Sequence, residues 1–444
     1  MPISGFPEWL PAQRIIEQSV IDRIRSTFEL YGFAPLETRS VEPLDTLLSK
    51  GETSKEVYLL HRLQATDDAP SDDQLGLHFD LTVPFARYVV ENAGKLVFPF
   101  RRYQIQKVWR GERPQEGRYR EFLQADIDVV NRDNLPFHYD TEMPLVIGDA
   151  LSGLPIPAAR IQVNNRKVCE GFYRGLGLTD TDQVLRTVDK LDKIGPSRVA
   201  DLLVETAGAT PAQAAACLDL AAISAEDASF VDAVRKLGVG DPLLDEGLEE
   251  LVRVVETARE HAPGLVVAEL KIARGLDYYT GTVYETQLRG YERFGSICSG
   301  GRYDNLASSG KDRFPGVGIS IGVSRMLGLL FGQQALGVSR SVPTCVLVAL
   351  PHEDQRVACD RIAASLRRRG IPTEVAPTAA KFGKQIQYAD RRGIPYVWFP
   401  GGSPDSGGPS SDEVKDIRSG EQVTADAAAW APPAADLHPV VAGA

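Results

Sequence analysis

Two runs of alternating polar and apolar residues, separated by the turn GERPQEG, constrain the fold of this chain most strongly. We predict strands at 102–110 and 119–130, because a side-chain period of two is typical of a sheet with one buried face. The polar face of this hairpin carries Arg110, Arg120, Phe122, Gln124, Asp126 and Asp128. Such a surface is either the wall of a pocket or a solvated sheet face with ordinary cross-strand ion pairs, and the pattern leaves both open.

The same stretch is unusually positive for an acidic chain. Residues 101–120 hold seven Arg or Lys and two Glu, whereas the whole chain has a formal net charge of −11. The field of an acidic molecule repels phosphates, so any contact with nucleic acid or nucleotide has to be local. We therefore expect this cluster to meet anions at one defined site.

Residues 315–330, PGVGISIGVSRMLGLL, predict a strand that leads into a helix. One face of the strand has almost no side chains and consists of Gly316, Gly318, Ser320 and Gly322. Such a face contributes little packing, and it suits a purine ring or a closely packed helix that lies against the backbone. Arg325 falls in the first turn of the helix, where the helix dipole disfavours a cation, so we expect an anion such as a phosphate nearby.

Residues 75–84, LGLHFDLTVP, also alternate and predict a strand that ends at Pro84. The polar face of this strand would present His78, Asp80 and Thr82. It is either part of a binding surface or the solvated side of an antiparallel strand.

Residues 270–286, LKIARGLDYYTGTVYET, place Arg274 at a turn that enters a strand. In a regular strand Tyr278 and Tyr279 would point to opposite faces, and a bend at Gly275 would change that. The pattern leaves open which tyrosine faces a ligand. A core aromatic pair beside a surface arginine is the alternative interpretation.

The length of 444 residues predicts two or three domains. Helical periodicity is present at 14–31 and at 141–153. Residues 168–264 are rich in Ala, Leu, Asp and Glu, and they predict an inserted, mainly helical domain. We therefore assign residues 1–167 and 265–335 to one domain that this insertion interrupts.

The last part of the chain, 343–430, alternates between strand and helix patterns. VLVAL, TEVAP and PYVWF predict strands with helices between them, which indicates a small parallel sheet covered by helices. The Gly-, Ser- and Pro-rich segment 401–412 predicts a flexible loop, and the Ala- and Pro-rich end 431–444 predicts a mobile tail.

Composition excludes several classes of protein. No apolar run reaches the roughly 18 residues of a membrane span, so we expect no membrane contact. The start MPISGFPEWL lacks the basic and apolar parts of a signal peptide. The five cysteines form no CxxC pair, which argues against a cysteine zinc site and for a reducing, cytoplasmic location.

Together these segments resemble the histidyl-tRNA synthetases, a family of class II aminoacyl-tRNA synthetases. RGERPQEGRYREF is similar to motif 2 of that class, GVGISIGVSR to motif 3, and FAPLETRSVEPLDTL, which contains Pro43, to motif 1. ARGLDYYTGTVYE and GSICSGGRYDNL resemble two histidine-specific signatures, and KFGKQIQYADRRGIPYVWF resembles the C-terminal anticodon-binding domain. The resemblance extends from about residue 4 to 425. Motifs 2 and 3 indicate class II, and the two signatures indicate the histidine branch.

The resemblance implies an α+β class II catalytic core, an antiparallel sheet flanked by helices, in residues 1–167 and 265–335. It implies an α/β anticodon-binding domain at 343–430, an insertion at 168–264 that contacts the acceptor arm of tRNA, and a homodimer whose interface includes motif 1. The implied reaction joins L-histidine to tRNA(His) through histidyl-adenylate, with ATP as co-substrate and Mg²⁺ on its phosphates.

The resemblance also implies roles for three catalytic, ATP-binding arginines. Arg110 would hold the α-phosphate and the substrate carboxylate, and Arg325 the γ-phosphate. Arg274 would reach the α-phosphate from the other side, at a place that other class II enzymes give to a metal. No residue of this chain is assigned to a metal.

The implied histidine pocket has two parts. Asp80, Thr82 and Gln124 would contact the α-ammonium group, and Asp128 and Tyr279 would contact the imidazole, with Tyr278 close by. A site that hydrogen-bonds both ring nitrogens rejects apolar isosteres, because its own buried polar groups would lose their partners. We see no editing domain, and such a site needs none.

The implied tRNA contacts lie in the turn of the hairpin. Arg113 and Gln115, together with Arg118 and Arg120, match positions where the family contacts the extra 5′ guanosine of histidine tRNA.

The sequence departs from the family at two places. DLT stands where many bacterial members have EGT, which keeps a carboxylate and a threonine. Ser324 stands where Glu is common before the motif 3 arginine, which leaves the positioning of Arg325 open.

Two other functions compete with the ligase. One is a catalytically silent paralogue that regulates ATP phosphoribosyltransferase in histidine biosynthesis. Such paralogues typically lack the anticodon domain and lose the arginines, whereas this chain keeps 343–425, Arg110, Arg274 and Arg325. The other is a purely RNA-binding or scaffolding protein, and the ATP-facing arginines argue against it.

Overall fold

The computed structural model describes residues 3–48, 56–61, 74–272, 278–309, 312–402 and 410–443. Its contacts divide the chain into two compact units. The first consists of residues 1–7 and 20–332, and the second of residues 8–19 and 333–444.

The strands lie mostly in the first unit. They are β1 (Ala34–Pro35), β2 (Val41–Pro43), β3 (Leu59–Leu60), β4 (Leu75–Leu77), β5 (Phe100–Trp109), β6 (Glu121–Val130), β7 (Ala159–Asn165), β8 (Ser224–Ala225), β9 (Val266–Glu269), β10 (Thr282–Leu288), β11 (Cys298–Ser309) and β12 (Asp312–Gly322). The second unit contains β13 (Leu336–Val338), β14 (Val346–Val348), β15 (Thr373–Val375), β16 (Tyr396–Phe399), β17 (Glu413–Asp416), β18 (Gln422–Thr424) and β19 (Val441–Gly443).

The helices follow in chain order. They are α1 (Pro11–Leu30), α2 (Leu44–Leu48), α3 (Thr82–Asn92), α4 (His138–Ser152), α5 (Arg166–Gly175), α6 (Thr181–Val188), α7 (Leu191–Ile194), α8 (Pro196–Ala207), α9 (Pro211–Ala221), α10 (Ser229–Lys236), α11 (Pro242–His261), α12 (Val323–Gly332), α13 (Arg356–Arg368) and α14 (Phe382–Arg392). The predicted helices at 14–31 and 141–153 correspond to α1 and α4.

A nine-stranded sheet, as far as the described residues form it, is the centre of the first unit. Its strand order is β1-β5-β6-β12-β11-β10-β7-β9-β8. Neighbours from β5 to β7 run antiparallel, whereas β1 is parallel to β5 and β9 is parallel to β7. Helices α3, α4 and α12 pack against its strands. The predicted antiparallel sheet flanked by helices is therefore confirmed.

The predicted hairpin is present, with strand ends that differ by a few residues. Arg110 and Arg120 lie just outside β5 and β6, and the backbone N–H of Arg110 donates to the Arg120 carbonyl at 2.8 Å. The backbone N–H of Arg120 also donates to the Gly5 carbonyl at 2.7 Å. The chain near the N-terminus thus joins the base of the turn and fixes its direction.

Polar residues lie opposite each other on the face of this hairpin. The facing pairs are Arg102 and Asp128, Gln104 and Asp126, and Gln106 and Gln124. On the other side of β6, strand β12 places Gly318 opposite Asp128 and Ser320 opposite Asp126. The polar face predicted from alternation therefore extends over three neighbouring strands.

The prediction of one strand over 75–84 is wrong in its second half. Strand β4 ends at Leu77 and helix α3 begins at Thr82. Asp80 Oδ1 accepts a hydrogen bond of 3.1 Å from the Val83 N–H, which satisfies one of the open donors of the first helical turn. Pro84 also lies in that first turn, where no N–H donor is needed. Alternation and a terminal proline therefore look the same for a strand end and for a helix start.

The predicted helical segment 168–264 begins slightly earlier, at Arg166. Several of its helices start at side chains that accept hydrogen bonds from backbone N–H groups, namely Asn165, Asp180, Thr210 and Asp241. Within it, α11 packs against α5, α4 and β7, and β8 adds an edge strand to the main sheet. The shift in composition marks the helices, and an inserted domain with these bounds stays a prediction.

The second unit contains the predicted parallel strands. β15, β14 and β16 run parallel in that order, with α13 and α14 as the predicted helices between them. β17 and β18 extend the sheet antiparallel, which the sequence pattern did not predict. Residues 403–409 of the predicted loop 401–412 lie outside the described residues. At the ends of that loop, the Asp412 carboxylate accepts hydrogen bonds from the Gly401 N–H and the Trp398 indole.

The prediction of a mobile tail at 431–444 is wrong. Strand β19 pairs antiparallel with β13. Before it, the Asp436 carboxylate accepts a hydrogen bond of 2.6 Å from the Tyr396 hydroxyl and forms an ion pair of 2.8 Å with Arg418. Arg340 donates to the Leu437 carbonyl at 3.0 Å. These specific contacts order a segment whose Ala and Pro content is otherwise typical of a tail.

We predict that Asp436→Asn lowers the free energy of unfolding of the second unit by about 1 kcal/mol at neutral pH, because Arg418 loses a partly exposed ionic partner. The hydrogen bond from Arg418 lowers the pKa of Asp436 from 3.8 to about 2. A lowered pKa stabilises the fold above the unfolded value, so this contribution is lost as the pH falls through about 2. Urea unfolding followed by tryptophan fluorescence measures it.

The matched control for this measurement is Asp360→Asn, which neutralises an exposed aspartate of α13 in the same unit. We expect the control to unfold as the unchanged protein does. Equal stability of the two variants at neutral pH would contradict the role given to Asp436.

Candidate active site

One cavity collects side chains from the hairpin, from β12 and from the start of α12. It has a volume of about 210 Å³, and its lining includes Arg110, Gln124, Ser320, Gly322 and Arg325. We call it the arginine cavity. The structure therefore brings Arg110 and Arg325, which are distant in the sequence, to the same place.

Arg110 is held in a fixed orientation at the edge of this cavity. Its Nε donates a hydrogen bond of 2.9 Å to the Phe79 carbonyl, and its guanidinium carbon lies 5.1 Å from the centroid of the Phe122 ring. Glu112 lies 3.9 Å away. The ring contact and the hydrogen bond orient the guanidinium plane, which is the geometry needed for a carboxylate or a phosphate.

Arg325 lies in the first turn of α12, as the sequence predicted. One of its terminal nitrogens donates a hydrogen bond to the Phe294 carbonyl. The preceding Ser324 accepts a hydrogen bond of 2.9 Å from the Leu123 N–H on β6. Ser324 therefore ties the start of α12 to the sheet, and this contact positions Arg325 although the family's common Glu is absent.

The glycine face of β12 has two functions. A Cβ atom at Gly316 would lie 2.4 Å from the Tyr303 ring, and one at Gly318 would lie 2.1 Å from Asp128 Oδ1. These two glycines therefore make room for side chains of the protein itself and not for a purine or a helix. Ser320 and Gly322, at the other end of the strand, are the ones that line the arginine cavity.

Three buried carboxylates form a second cluster, which we call the acid pocket: Asp80, Asp126 and Asp128. They are 5%, 3% and 2% exposed. Burial raises the pKa of Asp80 to about 6 and that of Asp126 to about 7, and it raises the pKa of Asp128 as well. Ser320 joins the two clusters, because it lines the arginine cavity and lies opposite Asp126.

A buried ion pair holds one wall of the acid pocket. An Arg102 terminal nitrogen lies 2.7 Å from Asp128 Oδ2, and the Tyr303 hydroxyl donates to Asp128 Oδ1 at 2.7 Å. The Arg102 guanidinium also lies 4.3 Å from the centroid of the Phe85 ring. Arg102 and Tyr303 both act to lower the pKa of Asp128 and so oppose the effect of burial, which raises it. Asp128 is therefore held in place at both of its carboxylate oxygens.

Both signature tyrosines lie beside these carboxylates. The rings of Tyr278 and Tyr279 pack edge to face with centroids 4.8 Å apart, and Tyr278 packs in the same way on Tyr303 at 6.2 Å. Burial raises the pKa of Tyr279, and the charges of the acid pocket raise it further. Both tyrosines therefore turn to the same region, on the side of the acid pocket.

Of the remaining predicted residues, some lie at the site and others do not. Gln124 Nε2 donates to the Ser320 hydroxyl at 2.9 Å on the wall of the arginine cavity. Thr82 is the first residue of α3, next to Asp80. His78 does not join the site: it is buried, its Nε2 lies 2.7 Å from the Lys107 carbonyl, and its ring packs near Trp109. Arg274 lies outside the described residues.

The turn between β5 and β6 carries the predicted tRNA contacts. Arg113 and Gln115 are exposed there, and Gly117 has a φ of 69°, which only glycine adopts readily. A larger cavity of about 600 Å³ lies between this turn and α7, and its lining includes Gln115, Arg118 and Lys193. The turn therefore faces an open, polar space next to the arginine cavity.

Sequence reasoning missed three residues of the site. Arg102 and Tyr303 support Asp128, and Asp126 lies between Gln124 and Asp128 on the same face of β6. The alternation did identify Asp126 as a member of that face but gave it no role. A buried arginine has no sequence signal of its own, and only the cross-strand register places Arg102 opposite Asp128.

The described residues contain no group of three or more His, Cys, Asp or Glu side chains that could hold a metal ion. Likewise, none of the described helices is long and apolar enough to cross a membrane.

The fold and the site together define a class of protein. An antiparallel sheet carries one arginine at a strand–turn–strand hairpin, and a glycine-rich strand leads into a helix that carries a second arginine over the same cavity. This arrangement is that of the class II aminoacyl-tRNA synthetases.

Comparisons with known proteins identify the branch. The family model of histidyl-tRNA synthetase matches residues 5–326, and that of the anticodon binding domain matches residues 344–427. The histidine–tRNA ligase of Micrococcus luteus is 60% identical, over 100% of this chain and 98% of that protein. The histidine–tRNA ligase of Cutibacterium acnes is 58% identical over the same shares. The chain belongs to the histidyl-tRNA synthetase family.

A solved structure agrees with this assignment. The crystal structure of histidyl-tRNA synthetase from Nostoc sp. PCC 7120 matches with a TM-score of 0.85 and 34% sequence identity, over 96% of this chain and 97% of that chain.

We predict that Arg102→Met lowers the free energy of unfolding by about 3–5 kcal/mol, because Asp128 would stay buried without its countercharge. Chemical denaturation measures this change. The control is Lys107→Met on the same strand, where the lysine side chain is 57% exposed and its ion pair with Glu121 contributes at most about 1 kcal/mol. A loss of equal size in both variants would show that Arg102 is no more than a surface charge.

Proposed function

We propose that this chain joins L-histidine to tRNA(His) in two steps at the arginine cavity and the acid pocket. In the first step a carboxylate oxygen of histidine bonds to the α-phosphorus of ATP, and the bond from that phosphorus to the pyrophosphate oxygen breaks. In the second step a ribose hydroxyl at the 3′ end of tRNA takes the histidyl group from the adenylate and releases AMP. The observation that carries this proposal is the shared cavity of Arg110 and Arg325 beside three buried carboxylates.

The arginines supply positive charge where the reaction develops negative charge. Arg110 is oriented by Phe79 and Phe122 to hold the α-phosphate and the substrate carboxylate. Arg325 holds the γ-phosphate, and Arg274 approaches the α-phosphate from the other side. Fixed cations of this kind stabilise the transition state without reorganisation.

The acid pocket receives the amino acid. Asp80, Thr82 and Gln124 bind the α-ammonium group, and Asp128 and Tyr279 form the wall for the imidazole, with Tyr278 beside them. Asp80, Gln124 and Asp128 are buried, which supports selectivity, because a ligand without matching donors leaves buried polar groups unpaired.

The described residues offer no protein cage for Mg²⁺. Mg²⁺ often binds through substrate phosphates together with one or two carboxylates and waters. We therefore propose that Mg²⁺ enters with ATP. Glu112 is a carboxylate that lines the arginine cavity, and we propose it as the protein group that contacts the ion.

The tRNA contacts use the turn and the second unit. Arg113 and Gln115 contact the end of the acceptor stem, and the larger cavity between the turn and α7 leaves space for it. The second unit, which matches the anticodon binding domain, contacts the anticodon. The regulatory paralogue is not favoured, because this domain, Arg110 and Arg325 are all present.

We also propose a cytoplasmic homodimer. Leu59, Leu60 and Leu75 are exposed on the small sheet β2-β4-β3, which includes Pro43 of the motif 1 segment, and exposed apolar residues of this kind mark interfaces. The described cysteines are all buried and free, which supports a reducing compartment.

We predict that Arg325→Ala and Arg110→Ala each lower kcat/KM in histidine-dependent ATP–pyrophosphate exchange by at least about 100-fold, because each removes a cation from the phosphate site. The control is Arg113→Ala on the exposed turn. Its exchange rate should stay within about threefold while charging of tRNA(His) falls by about tenfold or more.

Two results would count against the proposal. Exchange at the full rate in Arg325→Ala would remove this arginine from ATP binding. The absence of histidine-dependent exchange in the unchanged protein would remove the ligase activity itself.

A further inference from the structure

The short segment 3–7 contacts the base of the turn between β5 and β6, although the two are far apart in the sequence. The Gly5 carbonyl accepts two hydrogen bonds there, at 2.7 Å from the Arg120 N–H and at 3.2 Å from the Glu121 N–H. Glu121 is the first residue of β6. One backbone carbonyl therefore fixes the point at which the turn ends and the strand begins.

This contact requires glycine at position 5. The φ of Gly5 is 85°, which lies in the left-handed region that other residues adopt at a cost. A Cβ atom placed there would lie 2.9 Å from Arg120 Cγ and 2.9 Å from Pro114 Cγ. Pro114 belongs to the first half of the turn and Arg120 to the second. A side chain at position 5 would therefore collide with both halves.

Another part of the turn packs on helix α12. Gly117 is buried, and a Cβ atom placed there would lie 2.8 Å from the Leu329 side chain. On the helix itself, a Cβ atom at Gly328 would lie 2.3 Å from the Tyr119 hydroxyl oxygen. In both places a missing side chain allows the close approach. The turn is thus held by segment 3–7 and by α12.

Hydrogen bonds within the turn add to this order. Gln115 and Arg118 exchange two backbone hydrogen bonds, of 3.1 Å and 2.9 Å. Arg120 Nε donates to the Glu112 carbonyl at 3.1 Å, which joins the two halves of the turn. Arg113 and Gln115 nevertheless remain exposed. The turn therefore combines a fixed backbone with exposed polar residues, as a preformed binding surface does.

We infer that Gly5 and Gly328 are positioning residues for the transfer step, and that they hold the turn 110–120 in the form that the acceptor end of tRNA binds. This inference rests on the proposed function. A turn that has to become ordered on binding costs conformational entropy, so a turn that is already ordered binds more tightly. Loss of either contact therefore weakens the binding of tRNA.

The activation step depends on other contacts. The backbone of Arg110 bonds to Arg120, but its guanidinium is oriented by the Phe79 carbonyl and the Phe122 ring. Likewise, the guanidinium of Arg325 donates to a backbone carbonyl that follows β10. A disturbed turn should therefore lower charging of tRNA and leave ATP–pyrophosphate exchange in place.

Gly5→Ala tests this separation in steady-state kinetics. We expect KM for tRNA(His) in charging to rise about tenfold, while kcat/KM in histidine-dependent exchange stays within about threefold. The control is Gly32→Ala, just after α1. The φ of Gly32 is 78°, and apart from its chain neighbours no described atom lies within 4 Å of a Cβ atom placed there. The control has the same backbone strain without the collision, so it should keep both values.

Hydrogen exchange of backbone amides tests the hold on the turn without catalysis. The N–H groups of Arg118, Arg120 and Glu121 are hydrogen-bonded, so they should exchange slowly in the unchanged protein. In Gly5→Ala we expect them to exchange at least about tenfold faster, and in Gly32→Ala at the original rate. Mass spectrometry of peptides that cover 112–121 measures these rates.

Three results would overturn the inference. The first is an equal KM for tRNA(His) in Gly5→Ala and Gly32→Ala, and the second is an equal loss of exchange and charging in Gly5→Ala. The third is unchanged hydrogen exchange of the turn in Gly5→Ala. If the unchanged protein charges no tRNA(His), the proposed function fails instead, and the hydrogen-exchange test of the hold is unaffected.

Gly328→Ala approaches the same turn from α12 and serves if Gly5→Ala does not fold. Alanine is favourable inside a helix, so the new Cβ atom acts through its collision with Tyr119. We expect the same rise in KM for tRNA(His) and the same faster exchange of the turn amides. An unchanged KM for tRNA(His) in this variant would also overturn the inference.

Discussion

The buried ion pair between Arg102 and Asp128 is the interaction on which the rest of the site depends. It joins β5 to β6. On the neighbouring strand β12, Gly318 lies opposite Asp128 and leaves room for the ion pair. A side chain larger than glycine there would collide with Asp128. The glycine-rich strand, the buried arginine and the GGRYD tyrosine that donates to Asp128 are thus parts of one arrangement. Arg102 supplies one buried positive charge beside the three buried carboxylates, and it pairs directly with Asp128.

From this arrangement the site divides into two regions of opposite charge. The acid pocket contains buried carboxylates and the arginine cavity is lined by arginines, so in the proposed function the first takes the cationic groups of an amino acid and the second takes phosphates. Gln124 and Ser320 lie at the border, joined by a hydrogen bond of 2.9 Å. In the proposed reaction, the carboxylate of an amino acid bound in the first region would lie next to an α-phosphate bound in the second. The geometry therefore supports the activation step by proximity as well as by charge.

Much of this could be predicted from the sequence, because the polar side chains of the site alternate along the strands with a period of two. The hairpin, its polar face and the helix whose first turn holds Arg325 could all be predicted from alternation and from the dipole of a helix. Three features could not. The start of α3 at Thr82 has the same pattern as a strand end, and the role of Arg102 depends on a cross-strand register. The ordering of the chain end depends on Asp436, whose partners Arg418 and Tyr396 are distant in the sequence. Long-range pairing of this kind leaves no local signal.

A crystal structure of the chain with L-histidine and a non-hydrolysable ATP analogue tests the central claim most directly. The account predicts that the α-phosphate contacts Arg110 and the γ-phosphate contacts Arg325, with the ring of histidine in the acid pocket and the ion pair of Arg102 and Asp128 unbroken. Phosphates bound outside the cavity that Arg110 and Arg325 line, or a ring bound away from the three carboxylates, would contradict it.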